Sequence, residues 1–256
     1  MSSWKTVLPP VLFGIAGVAL WQLLTVAAGV PSFLLPAPTA IAGQFTENFG
    51  RILDAAAATG ANALIGLLAG AVLGIVAALA AVRFHLVDGL LSPMAAAAAA
   101  VPIVALAPLL NSMYSTTTDT PRRLVVTIVV FFPMFVSTAK GLRQVPRVQQ
   151  DLMAAYAASG WQITRTVRVP AALPYLFTGL RIAAPGAVIA AIIAEYFGGL
   201  QNGLGSRILS AAANTAYPRA WAYVAGAMLV GLLFLAAVVL LESLTRTPRL
   251  VLRRST

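Results

Sequence analysis

Few side chains in this 256-residue chain could perform chemistry, and those that are missing exclude most kinds of catalytic site. Cysteine is absent, which excludes a disulfide framework, a thiolate metal site and a thiol nucleophile. His85 is the single histidine, so neither a histidine metal cluster nor a Ser-His pair can form within one chain. The glycine-rich phosphate loop of ATPases is absent too. We therefore expect no catalytic residue, metal site or cofactor in this chain, and we predict that it is not an enzyme.

Two of the seven acidic residues stand out by their positions. Asp151 lies in the longest polar connection, and Glu195 is the one acid inside a long apolar stretch. An ionised carboxylate at mid-membrane costs roughly 2.5–3.5 kcal/mol. At about 1.5 Å per residue from Thr178, Glu195 falls about 25 Å along its predicted helix. It is predicted either to line a polar path or to end the helix in an ion pair with Arg207 or Arg219.

The composition of the chain indicates which class of protein it belongs to. Hydrophobic residues make up 60% of the chain and charged residues 9%, whereas a typical globular domain has about 25% charged residues. Disorder is excluded because its signature is low hydrophobicity. The net charge of +10 does not indicate a nucleic-acid partner, because a nucleic-acid binder carries its basic face on a polar surface. The sequence predicts an integral membrane protein.

Apolar stretches long enough to cross about 30 Å of hydrocarbon define the elements that must position these residues. We predict an all-α protein with a single transmembrane domain over residues 1–256 and about six spans, at 7–28, 55–82, 89–118, 124–139, 177–197 and 220–241. A short helix from Thr39 precedes the second span. Within that span Gly66, Gly70 and Gly74 recur every four residues, which predicts close packing of one helix face against a neighbour.

The distribution of positive charge predicts the orientation. With the N-terminus inside, twelve Lys and Arg residues fall in inner segments and five in outer loops. Because positive residues accumulate in cytoplasmic loops, both termini are predicted to be cytoplasmic.

The longest predicted cytoplasmic connection, residues 140–176, has the pattern of two short helices. Pro146 can start the first helix and Gly160 can end it. One face of this helix is predicted to be apolar, formed by Val148, Leu152, Ala155 and Tyr156. A second helix over 161–168 is predicted to stop at Pro170. The residues alone leave open whether this elbow, residues 146–170, protrudes toward a partner or lies on lipid with its basic residues near the phosphates.

The elbow resembles the EAA loop of ABC-importer permeases. That pattern is Glu-Ala-Ala, three residues, Gly, nine residues, Ile, one residue, Leu-Pro; in register, this chain has Asp151 to Met153, Ala157, Val167 and Val169-Pro170. The spacing is kept, with alanine in the glycine position. Further landmarks resemble the nitrate/sulfonate/taurine branch, at 35–38, 102–109, 131–133, 159–162, 173–181, 194–195 and 203–205.

The resemblance implies a type I ABC importer permease in the bacterial inner membrane. It implies a homodimer, two ATPase subunits that bind ATP and Mg, membrane lipid around the helices and an extracytoplasmic solute-binding protein. The transported solute is then expected to be small: a sulfonate, taurine, nitrate, or a pyrimidine or vitamin precursor. The alternative from another class is a passive channel or membrane scaffold that is not coupled to ATP.

The resemblance also suggests site residues. The positions expected to contact the ATPase are Asp151, Ala154, Tyr156, Ala157, Gly160, Trp161 and Pro170. The positions expected along the translocation path are Pro102, Pro108, Met113, Tyr114, Glu195 and Tyr196. Residues 111–119 form a Ser/Thr-rich segment where the family usually has a glycine turn. They are predicted to be an alternative outer loop or a source of hydroxyls for a polar solute.

Overall fold

The computed structural model describes residues 4–98, 102–114 and 117–245, and within these ranges the regular structure is helical. The helices are α1 (Trp4–Ala27), α2 (Pro38–Glu47), α3 (Phe49–Arg83), α4 (His85–Ala98), α5 (Ile103–Met113), α6 (Thr120–Arg143), α7 (Arg147–Ala155), α8 (Gly160–Ile163), α9 (Val169–Tyr196), α10 (Leu204–Ala213) and α11 (Tyr217–Thr245). A single π-helical turn, Thr164–Arg168, joins α8 to α9.

Five helical segments of the described chain are long and apolar enough to cross a membrane. They are α1, α3, α6, the continuous segment Gly160–Tyr196 and α11. The predicted third span, 89–118, is interrupted at Pro102, whose extended backbone (φ −71°, ψ 112°) immediately precedes α5. Proline suits a helix start because it has no N–H to donate. Residues 99–101 lie outside the described ranges.

The α4–α5 pair nevertheless carries the chain from one end of the helix bundle to the other. At the start of α4, Asp88 pairs with Arg143, the last residue of α6. Near the end of α5, Asn111 donates to the carbonyl oxygen of Ala194, close to the end of α9. The elbow follows the end of α6 and precedes α9, so Asp88 lies at the elbow end and Asn111 at the far end. The described chain therefore has five long apolar helical segments and one pair of short helices that together run between the two ends of the bundle.

Helices α3, α6 and α9 form the centre of the bundle, and the predicted glycine strip of α3 lies between α3 and α6. A Cβ atom at Gly66 would collide with Val126, and one at Gly70 would come within 2.7 Å of the Cβ of Val130. These glycines therefore permit a helix approach that any larger residue would prevent. The prediction of close packing along this strip is confirmed.

The prediction that the second elbow helix stops at Pro170 was also wrong, because the helix continues to Tyr196. In the π-helical turn, the N–H of Val169 donates to the carbonyl oxygen of Thr164 five residues earlier. This wider turn lies where the proline ring would otherwise clash with the carbonyl four residues before it. The elbow is thus joined to α9 by unbroken helix.

Candidate coupling elbow and far-end polar cluster

The apolar face of α7 is exposed. Val148 is 78% exposed, Leu152 56% and Tyr156 78%, and Trp161 at the start of α8 is 71% exposed. We call these four residues the docking face. The fold of one chain leaves these large apolar side chains uncovered, although the helix also carries polar residues. An exposed apolar patch bordered by polar residues is typical of an interaction site.

The sharp turn of the elbow is centred on Ala157 and not on Gly160. Ala157 has a φ of +53°, the left-handed conformation that glycine adopts most easily. Gly160 has no positive φ, and a Cβ there would meet open space. The prediction that Gly160 ends the first helix was therefore wrong: α7 ends at Ala155, and Gly160 is the first residue of α8.

Ser159 fixes the start of α8. Its side-chain oxygen accepts from the N–H of Gln162 at 3.3 Å, and the Gln162 side chain accepts from the N–H of Ser159 at 2.7 Å. This reciprocal capping box satisfies two N–H groups that a helix start leaves without partners. The cap and the left-handed residue together hold the two elbow helices at a defined angle.

The other predicted coupling residues also lie on the surface of the elbow. Asp151, Ala154, Ala157, Gly160 and Pro170 are all exposed. The structure therefore brings the predicted coupling set to one protruding element, and its role stays a prediction.

At the opposite end of α9, Glu195 is fully buried at 0% exposure. Its Oε2 accepts from the hydroxyl of Thr59 at 2.9 Å and from the N–H of Gly205 at 3.0 Å. Thr59 in turn accepts from the N–H of Leu204 at 2.9 Å. The carboxylate therefore joins α3 and α9 to the start of α10, and neither Arg207 nor Arg219 pairs with it among the described residues.

Arg122, also at 0% exposure, forms the second half of this buried assembly. Its Nη1 donates to Asn202 at 2.8 Å and lies 3.2 Å from Asp119, and its Nη2 donates to the carbonyl of Leu200. Asn62 on α3 donates to the same Asp119 carboxylate at 3.2 Å. A buried charge with several hydrogen bonds holds its surroundings in one geometry, because removing a partner leaves it uncompensated.

Together these side chains form what we call the far-end polar cluster: Thr59, Asn62, Asp119, Arg122, Glu195 and Asn202. Of its members, sequence reasoning singled out Glu195 alone. Thr59 and Asn62 carried a usable signal, since two polar residues three apart in an apolar helix lie on one face. Arg122 carried none, because an arginine next to an apolar span is equally expected in an exposed loop.

The predicted path residues do not form one surface in a single chain. Pro102, Pro108, Met113 and Tyr114 are exposed on or beside α5, and Tyr196 is 39% exposed, whereas Glu195 is buried. Contact between a solute and Glu195 would require the far-end polar cluster to open. Ser115 and Thr116 of the Ser/Thr-rich segment lie outside the described residues.

Comparison of the sequence with known families assigns the chain to one of them. A sequence model described as the binding-protein-dependent transport system inner membrane component matches residues 70–247, more than half of the chain. The chain belongs to this family. It is an ABC permease and a multi-pass protein of the bacterial inner membrane, which confirms the resemblance detected in the elbow and its flanking motifs.

Individual relatives of this permease support the assignment. It is 30% identical to the formylaminopyrimidine transport permease protein ThiX of Halalkalibacterium halodurans, over 93% of this chain and 94% of the relative. It is 30% identical to the riboflavin transport system permease protein RibX of Chloroflexus aurantiacus, over 73% and 70%. It is 26% identical to the putative aliphatic sulfonates transport permease protein SsuC of Bacillus subtilis, over 76% and 70%.

Proposed function

We propose that this permease is driven by a separate ATPase subunit that binds the docking face. ATP and Mg bind to that subunit, and this chain supplies no cofactor site of its own. The elbow end then faces the cytoplasm, as the distribution of Lys and Arg predicts. The observation that carries the proposal is the exposure of Val148, Leu152, Tyr156 and Trp161 on one rigidly held element.

The helix that follows the elbow supports this coupling. Residues Gly160–Tyr196 form one continuous helical segment of 37 residues, which starts beside the docking face and ends at Glu195 and Tyr196. At 1.5 Å per residue it is about 55 Å long. Movement of an ATPase against the elbow is thereby passed to the far end without an intervening loop.

We infer that two copies of the chain enclose the translocation path. A single copy has a half-exposed α5, with Leu109 60% and Met113 75% exposed. Homodimers are the commonest closed assembly, and a two-fold axis beside α5 would place this helix from both copies around one path. Pro102, Pro108 and Tyr114 would then line that path, and the far-end polar cluster would lie beside its outer opening.

The transported solute is proposed to be a small heterocycle of the pyrimidine or vitamin type. Two relatives at 30% identity are named for formylaminopyrimidine and riboflavin transport, whereas the relative named for aliphatic sulfonates is 26% identical. An extracytoplasmic binding protein delivers the solute in this proposal. A ligand screen on that binding protein would test the solute class directly, and a preference for sulfonates or nitrate would overturn it.

Exchange of Trp161 for alanine tests the coupling. We expect Trp161→Ala to reduce co-purification of the ATPase by about tenfold or more, because buried aromatic anchors dominate interface energies. Phe13→Ala is the matched control, since Phe13 on α1 is 83% exposed but lies far from the elbow in sequence. Equal ATPase recovery from the two variants, or a stable ATPase-free assembly that conducts solute, would contradict the proposal and favour a passive channel.

A further inference from the structure

A basic cavity of about 270 Å³ lies at the elbow end, between α4, the end of α6 and the elbow. Its polar lining consists of His85, Asp88, Arg143, Gln150 and Arg168. The cavity is smaller than the roughly 300–1,000 Å³ of a typical drug-sized ligand site, so it suits a small charged group. It belongs neither to the docking face nor to the far-end polar cluster.

The charges in this cavity do not balance. Asp88 accepts from Ser92 at 2.6 Å and from Arg143 at 2.5 Å, and these hydrogen bonds hold the pKa of its carboxyl below the ordinary value. The ionised Asp88 therefore neutralises Arg143. Arg168 is half-buried, and within residues 4–98, 102–114 and 117–245 no carboxylate pairs with it. A half-buried guanidinium without a carboxylate partner, beside a cavity, favours an anion there.

The surface of α4 indicates where the anion comes from. Leu86, Leu90 and Met94 are 84%, 66% and 55% exposed and follow one another every four residues. They form an apolar stripe that leads away from the cavity for about 12 Å along the helix. A phospholipid has this combination of parts, with an anionic phosphate on two apolar chains, and basic pockets between helices are known places for such headgroups.

We propose that this cavity binds the phosphate of an anionic phospholipid, with Arg168 as its main contact and the acyl chains along Leu86, Leu90 and Met94. The bound lipid would join α4 to the elbow through Arg168 and Gln150. The binding proposal does not rest on the proposed ATPase coupling, because it concerns a site on this chain alone.

Lipid titration of the full-length permease with its co-purifying subunits tests the proposal. The delipidated protein is titrated with phosphatidylglycerol or phosphatidylcholine, and bound lipid is counted by native mass spectrometry without ATP or solute. We expect tighter binding of phosphatidylglycerol. Arg168→Gln should weaken this binding about fivefold, the effect of losing one arginine near a phosphate surface.

Two further variants and one competitor separate the outcomes. Arg168→Lys should retain most of the binding. Arg165→Gln is the matched control, because Arg165 is exposed on the same π-helical turn but does not line the cavity, and it should bind as the wild type does. Equal binding of the two lipids, or an equal loss in Arg165→Gln, would overturn the proposal. Displacement of phosphatidylglycerol by excess inorganic phosphate would overturn the lipid assignment in favour of a soluble anion.

Discussion

The two ends of the long helix Gly160–Tyr196 are built on opposite principles. At the elbow, large apolar side chains are exposed, whereas at the far end the charged side chains of Arg122 and Glu195 are completely buried among hydrogen-bonding partners. At both ends the usual distribution is reversed, since apolar residues are exposed at one end and charged residues are buried at the other. The elbow leaves its apolar side chains uncovered. The far-end polar cluster finds most of its hydrogen-bond partners within one chain, although Oε1 of Glu195 and Nε of Arg122 have none among the described residues. Substitutions at the first should alter association, and substitutions at the second should alter stability.

The largest effect is expected from Arg122→Met. It removes the hydrogen bonds that the fully buried guanidinium donates to Asp119, Asn202 and the carbonyl of Leu200, and a hydrogen bond to a charged group contributes about 1.5–3 kcal/mol. Thermal unfolding in detergent should show a clear loss of stability. Arg123→Met is the matched control: Arg123 is 41% exposed, lies 3.5 Å from Asp119 and donates to Asn62 at 3.0 Å, so its loss should cost about 1–2 kcal/mol, less than that of the buried Arg122. Equal losses from the two neighbours would contradict the cluster.

Glu195→Ala should come next. It removes the acceptor for Thr59 and for the N–H of Gly205, and each buried donor left unsatisfied costs about 1–3 kcal/mol. Glu195→Gln keeps an acceptor oxygen in nearly the same place and should lose roughly half as much or less. The same unfolding measurement separates the two variants. If the glutamine variant were as unstable as the alanine variant, the negative charge and not the hydrogen bonds would hold the three helices together.

Tyr156→Ala should weaken ATPase binding and leave the stability of the permease nearly unchanged, whereas the cluster variants should lose stability. Because Tyr156 is 78% exposed, its removal should change the stability of the permease by less than about 0.5 kcal/mol. Its loss from an interface centre should nevertheless weaken ATPase binding by about 2 kcal/mol. Both quantities can be measured on one preparation, by unfolding and by co-purification. A large loss of stability would show that the docking face packs within its own chain and would remove the contrast between the two ends.

The smallest effect is expected at the turn of the elbow. Ala157→Gly relieves a left-handed conformation that costs a residue with a Cβ roughly 1 kcal/mol, so the elbow should open less often. Amide hydrogen exchange of residues 155–160 should slow, while the global unfolding temperature stays unchanged. Gly160→Ala is the control and should leave exchange unchanged, since its Cβ meets open space. Faster exchange in Gly160→Ala, with unchanged exchange in Ala157→Gly, would assign the left-handed turn to Gly160 after all.

The sequence predicted the helical class, the glycine strip and a pair of short helices in the elbow, because each depends on local residue patterns. The helix ends were less predictable: Pro170 looks like a stop, but a single π-helical turn lets the helix pass it. The far-end polar cluster was largely missed, because Thr59, Arg122 and Glu195 are far apart in sequence and meet only after the helices pack. The end of the first elbow helix was predicted at Gly160, whereas the residue with a positive φ is Ala157, where the resembled pattern has glycine.

The close contact between Gly141 and Tyr175 has a mechanical consequence for the helix that joins the two ends. A Cβ at Gly141 would lie 2.7 Å from that of Tyr175, so α6 touches α9 there with no side chain between them. A rigid rotation of the helix about this point has a short arm of about 22 Å to Gly160 and a longer one of about 30 Å to Glu195. If the segment turned about this contact as a rigid body, a displacement at Gly160 would be about a third larger at Glu195.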